Sequence, residues 1–341
     1  CGLPSCCNSS NWFAYVGGLT MGRDMPNHFY TTFDATNPAN QLLYYPGADW
    51  GGGVDTRIGY WFGCGCNNGC NSCCSCGPRF GIEAIYWGVW GLDGQSSIYD
   101  PTNSLSTVMD DGLVSFNGTP ASDFFDNSRS HELSRNDEFH NLELNFLMMP
   151  VSGGRFQMTA LAGVRFFRFN EGLQFGALAG SAPVGATFAS DPADAAYLNT
   201  SVQNNLIGFQ IGSYLNYQVN DRLSVFAVPK IGIYGNHITG HNELIGGDGT
   251  VATFDGNGDA LNFHNTANVF SMLGSIDVGV NWAFTQHWSF IGGYRVVAAT
   301  GMALGDNQVP QFFADEAGWQ HINTNGSLIL HGAFAGLECR F

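Results

Sequence analysis

The sequence predicts an all-β fold, a transmembrane antiparallel up-and-down barrel of about ten strands with five long loops at one end and short turns at the other. Three observations predict it. Apolar residues recur with period two in segments about ten residues long, the connections alternate between long and short, and the composition suits lipid rather than water. Of 341 residues, 14% are aromatic and only 12% are charged, against a usual level near 25% for soluble domains. Glycine is abundant at 46 residues. A lipid-facing wall tolerates no charge, its girdles use Trp, Tyr and Phe, and its curvature uses glycine. No stretch approaches the roughly 18 uninterrupted apolar residues of a membrane helix, so a helical membrane protein is excluded. The whole chain, 1–341, reads as one domain.

The strands follow in order. Trp12–Met21, Val54–Phe62 and Phe80–Trp90 open the series. Leu142–Met149 and Phe156–Phe169 form a hairpin through Pro150, Ser152, Gly153 and Gly154, which have turn chemistry. Asn205–Val219 and Leu223–Asn236 form another through Asn220, Asp221 and Arg222, and Leu215 is expected to face lipid near mid-membrane with Asn216 inward. In Phe270–Trp282 the lipid set is Phe270, Met272, Ile276, Val278, Val280 and Trp282, with Asp277 and Asn281 inward. A tight turn leads to Trp288–Ala298, where Trp288, Phe290, Tyr294 and Val296 share a face and Arg295 opposes them. In the last strand Ala333, Ala335, Leu337, Cys339 and Phe341 alternate with Phe334, Gly336, Glu338 and Arg340. Ten is even and leaves both termini on the periplasmic side; eight or twelve strands fit the same parity.

Long connections then span 22–49, 91–138, 170–203, 237–267 and 299–326. They hold 22 acids and the arginines Arg23, Arg129 and Arg135, a net of −19, so the negative excess of a chain carrying −16 lies outside. Such loops stay solvated and repel neighbours, or bridge through divalent cations. An acidic chain with no basic stripe excludes nucleic acid as partner. Within the predicted lumen, Asp55, Glu83, Glu143, Asp277 and Glu338 face Arg57, Arg165, Lys230, Arg295 and Arg340, which suggests a paired network. A barrel of this size leaves little free bore.

The ten cysteines point to an oxidising compartment. Cys1, Cys6 and Cys7 lie in a periplasmic N-terminal segment, 1–11. Cys64, Cys66, Cys70, Cys73, Cys74 and Cys76 crowd the connection 63–78, and Cys339 sits on the last strand. All map to one rim, where disulfides are expected ahead of a metal, with Cys1 read as a mature terminus or a lipidated one. No cofactor is expected, with calcium the one candidate, since Asp255, Asn257 and Asp259 place oxygen ligands at alternate positions. An EF-hand would also need Gly at 260 and Glu at 266, where Ala260 and Thr266 stand.

The stretches Trp50–Tyr60, Leu161–Phe175, Leu206–Gln210, Gly235–His237 and Asn325–Ala333 resemble the outer-membrane β-barrel porin family abundant in planctomycetes. The resemblance covers most of the chain except the long loops. It implies the fold, an outer-membrane location and a porin-like role, and carries no functional residues across. Ten strands is also the architecture of the omptin proteases, whose loop-rim acids and histidine activate water. Asp110, Asp111, His131, His140, His237, His241 and His264 are present, but no spacing ties a base to its partner. The reading is therefore a non-enzymatic barrel in outer-membrane lipid, structural or narrow-pored and packed into homo-oligomers. The alternatives are a module binding ligand or polymer through its acidic loops, and a loop-rim hydrolase.

Overall fold

Ten strands close into one barrel, each hydrogen-bonded to its neighbours in sequence and the last returning to the first. The computed structural model describes residues 11–24, 30–44, 50–62 and 80–341. In chain order the barrel strands are β1 (Trp12–Asp24), β2 (Gly51–Phe62), β3 (Phe80–Tyr99), β4 (Ser130–Gly153) and β5 (Phe156–Leu178). They continue with β6 (Ala195–Gln218), β7 (Leu223–Gly246), β8 (Asn262–Ala283), β9 (Trp288–Met302) and β10 (Gly326–Arg340). All pairings are antiparallel, and closure is made by β1 on β10, from Phe13 opposite Arg340 to Asp24 opposite Ile329. With no free edge, backbone donors and acceptors are satisfied inside the sheet, the condition for crossing hydrocarbon. Among the described residues no helix is long and apolar enough to cross a membrane.

Alternate side chains point outward and form an apolar band that includes Val16, Ile58, Leu144, Phe209, Ile233, Val278 and Leu337. Trp12, Trp282 and Trp288 ring its periplasmic edge, and Trp50 and Trp90 its outer edge. This is the expected apolar-out alternation. The short turns share the periplasmic end: Gly154 takes the left-handed backbone (φ 60°) between β4 and β5. Asn220 Oδ1 accepts from the Arg222 and Leu223 amides, both at 2.9 Å, between β6 and β7.

The strands run further than the sequence predicts. Residues 91–99, 130–141, 170–178, 195–204, 237–246 and 262–269, expected in loops or left between strands, continue the sheet beyond the membrane. Above the lipid the outer face meets water, so the alternation inverts. Along β4, Glu132, Ser134, Asn136 and Glu138 face outward while Leu133, Arg135, Asp137 and Phe139 are buried inside. A search for apolar-out segments therefore stops at the headgroup boundary.

The connections between these extended strands fold over the opening. One three-stranded sheet joins Asn37–Tyr44, Tyr30–Asp34 and Leu105–Thr107, and another joins Thr253–Phe254, Val114–Phe116 and Thr119–Pro120. Beneath them Phe125, Phe313 and Trp319 pack with Phe175, Leu198 and Leu244 from the strand walls, forming a second apolar core above the membrane.

Candidate functional site

The interior is layered. Next to the periplasmic rim, Phe13, Leu147, Leu161 and Val228 form an apolar floor. Above it lies an ionic belt in two triads. Arg295 clamps Asp277 with two hydrogen bonds of 2.8 Å and reaches Asp55 at 3.0 Å. Asp277 and Arg295 sit directly opposite each other on β8 and β9, so period-two parity alone places both inside. In the second triad Glu143 is 2.7 Å from Lys230 and 3.8 Å from Arg165, whose guanidinium also donates to Asn141 and to Ser275. Gln210 and Asn145 donate to the Glu143 carboxylate. The other predicted lumen residues find different company. Glu83 accepts from the Tyr214 hydroxyl at 2.8 Å and from Asn145 at 3.0 Å. Arg57 lies over the rings of Tyr15 and Tyr214 rather than against a carboxylate. Glu338 and Arg340 pair at 2.8 Å at the periplasmic rim, where the Arg340 side chain is mostly exposed.

Over the ionic belt the bore is filled by apolar side chains from around the wall, including Trp87, Phe139, Phe167, Leu206, Leu273 and Leu330. Higher still is a second network, in segments that the sequence predicts as loops. Arg23 on β1 reaches Asp137 on β4 and Glu171 on β5, each at 2.8 Å, and Arg135 reaches Glu171 at 3.3 Å. These charges are internal because β1, β4 and β5 carry on past the lipid, where their inward positions remain inward. The signal was in the sequence: Phe167, Phe169, Glu171, Leu173, Phe175 and Ala177 hold one parity without a break.

This network also holds the connection between β9 and β10. Glu171 Oε2 accepts from the Gly305 amide at 2.8 Å. Asn204 grips Ala303 through both its amide and its carbonyl, at 2.9 and 2.8 Å, and Asn236 donates to the Gly301 carbonyl at 2.9 Å. Asn265 donates to the Trp319 carbonyl, and Trp319 buries its own ring and donates to Phe313. Residues 303–325 are thereby bound into the mouth as a plug.

The remaining candidates are scattered. Cys339 stands on the outer face between Ala14 and Trp288; the other nine cysteines, and with them every disulfide partner expected of it, lie outside the described residues. Asp255, Asn257 and Asp259 form an exposed turn closed by its own hydrogen bonds, with Asn257 donating to Asp259 at 2.9 Å and to Glu316 at 3.1 Å. Among the described residues no three His, Cys, Asp or Glu side chains are grouped to hold a metal. His140, His237, His241 and His264 stand on the outer wall, whereas His131 is buried in the cap with Nδ1 2.8 Å from the Thr32 hydroxyl. No base, acid and orienting group converge there.

The cap contains titrating groups with opposite effects. Burial, reinforced by Asp126 and Asp110, pushes the Asp111 carboxyl up to about 7. Between roughly pH 4 and 7 the folded cap therefore holds a proton that the unfolded chain has released, and Asp111 lowers stability as pH rises through that window. Burial pushes His131 down to about 3, so the unfolded chain is protonated below about pH 6.5 while the folded one is not, and His131 lowers stability as pH falls. Asp111→Asn weakens the first trend, of which Asp126 and Asp306, whose carboxyls burial also pushes up, keep a part. Relative to the wild type, hydrogen exchange of the cap amides in that variant should become progressively slower from pH 4 to 7 after correction for intrinsic rates, and a profile like that of the wild type would contradict the assignment.

Geometry and sequence together define an outer-membrane β-barrel protein. The chain belongs to the family described as Putative beta barrel porin-7, whose model matches residues 99–328. No curated protein is similar to it in sequence. Similar solved structures include the outer membrane protease OmpT from Escherichia coli, 11% identical, with 98% of each chain covered and a TM-score of 0.45. A major outer membrane protein from Thermus thermophilus is 12% identical, covers 97% of this chain and 99% of its own, and gives 0.32. The Pseudomonas putida toluene transporter TodX is 12% identical, with 99% and 91% covered and a TM-score of 0.32.

Proposed function

We propose that this barrel is a closed structural element of the outer membrane that presents a rigid acidic cap, rather than a diffusion pore or an enzyme. The observation that carries this reading is the stack of filled layers from Phe13 to Trp319, in which the plug is hydrogen-bonded to Glu171, Asn204 and Asn236. A solute would have to displace the plug and then cross Trp87, Phe139 and Phe167, each close to fully buried. Packing of several copies side by side in the membrane plane, wall against wall, accords with such a role.

Planar-bilayer recording tests it. The purified protein should give no steady steps, and replacing residues 305–322 by a short Gly/Ser linker should leave it silent because the apolar layer below persists. Steady, salt-dependent steps from the unaltered protein would overturn the reading in favour of a pore.

A further inference from the structure

The outer wall changes from apolar to polar along a single row of paired residues. Across β4 to β8 that row runs His140, Arg168, Asn205, His237 and Asn268, each the register partner of the next. One outward position closer to mid-membrane, the row reads Leu142, Phe166, Ile207, Gly235 and Phe270. The polar row is tied together, with Arg168 Nε donating to Asn205 Oδ1 at 2.7 Å and His237 Nδ1 2.9 Å from Asn268 Oδ1. It marks the height of the lipid headgroups, where hydrocarbon ends.

Two features of this boundary are unusual. Gly235 breaks the apolar row between Ile207, 67% exposed, and Phe270, 66% exposed. A Cβ built on Gly235 would meet nothing within 4 Å, so neither a close strand approach nor a neighbouring ring calls for glycine there. The gap opens a furrow of about 670 Å³ floored by Gly235 and Gly208, walled by Ile207, Phe209, Ile233 and Phe270, and closed at its upper end by Asn205, His237 and Asn268. The second feature is Arg168. Among the described residues it is the one arginine whose side chain stands on the outer face of the membrane-crossing wall, and only its Nε is used by a protein acceptor. Its guanidinium carbon lies over the Phe166 ring, 5.5 Å from the centroid, which leaves the charge at the height of the headgroup row.

We propose that this furrow is a binding site for one anionic phospholipid of the surrounding membrane: an acyl chain lies in the slot over Gly235, and the phosphate is held by Arg168 with hydrogen bonds from the Asn205–His237 row. The chemistry is complementary at both ends. A methylene chain fills a slot that the wall itself leaves open, and a guanidinium at headgroup height has no carboxylate on it, since the nearby Glu138 is taken by His140 at 2.6 Å. A protein side chain from a second copy could fill the slot, but the cation beside it favours a phosphate.

Native mass spectrometry of the detergent-released barrel, titrated with phosphatidylglycerol or with the uncharged digalactosyl diacylglycerol, tests the site. The wild type should retain one phosphatidylglycerol at least several-fold more strongly than the neutral lipid. Gly235→Leu, which fills the slot, should abolish the retention, whereas Gly52→Leu, at another outward glycine with open space above it, should not. Arg168→Gln, which leaves the slot intact, should erase the preference for the anionic lipid. Retention that survives both Gly235→Leu and Arg168→Gln, equal retention of both lipids by the wild type, or a dimer that Gly235→Leu dissociates would overturn the proposal. Heat-modifiable electrophoretic mobility reports folding of each variant, and if Gly235→Leu does not fold, the Arg168→Gln comparison decides alone.

Discussion

Arg295→Ala should destabilise the barrel by about 3–5 kcal/mol, the cost of breaking a buried ion pair by removing one partner. The guanidinium serves two carboxylates at once, Asp277 through a fork of two 2.8 Å bonds and Asp55 at 3.0 Å, and all three residues are buried. It also lies between the faces of Trp87 and Phe334, at 5.3 and 5.2 Å, so truncation opens a gap in the apolar layer as well. Two carboxylates would then share a dry site with no cation. The measurement is a urea unfolding titration of the refolded protein in lipid vesicles, wild type against variant. The triple change Arg295→Met with Asp55→Asn and Asp277→Asn should recover most of the loss, because a neutral layer needs no counter-charge. A loss below about 1 kcal/mol for Arg295→Ala would mean that water reaches the belt and screens it, and would weaken the case for a closed bore.

How much of this could be read from the chain depends on where the solvent changes. Within lipid, apolar-out alternation exposes the register directly. Asp277 and Arg295 betray their direction because each interrupts a run of outward apolar residues on strands joined by a tight turn. The same rule fails for Arg23, Arg135, Asp137 and Glu171, whose strands have already left the membrane. There the outer neighbours are polar, and a charge no longer marks the lumen side. The plug is harder still. Phe125 meets Phe313 at 6.2 Å across a long stretch of sequence, and neither belongs to a periodic segment, so only the closed barrel brings them together. Arg57 shows a different limit: its inward direction was legible, but not its preference for the tyrosine faces over Glu83. Side-chain reach across a bore is a property of the barrel's diameter and stagger.

Register has a direct energetic test on the lipid side. Counting outward positions along β6 from the polar row, Asn205 is followed by Ile207, Phe209, Ile211, Ser213, Leu215 and then Tyr217, which is paired with Phe156 at the periplasmic girdle. Ile211 is equally far from both ends and so lies at the midplane, whereas Leu215, the position the sequence predicts there, is nearer the periplasmic side. Ile211 is flanked by Ala162 on β5 and Ile231 on β7, with no polar partner on that face. An arginine there must carry its charge into hydrocarbon or thin the bilayer, and Ile211→Arg should cost about 2–4 kcal/mol in a refolding titration into vesicles. Leu215→Arg should cost less, because its guanidinium can snorkel to the nearer interface. Asn216→Arg points into the barrel and should cost less again than the midplane change. Equal costs for Ile211→Arg and Asn216→Arg would show that the wall does not separate lipid from lumen at this register, and a larger cost at Leu215 than at Ile211 would move the midplane toward the periplasm.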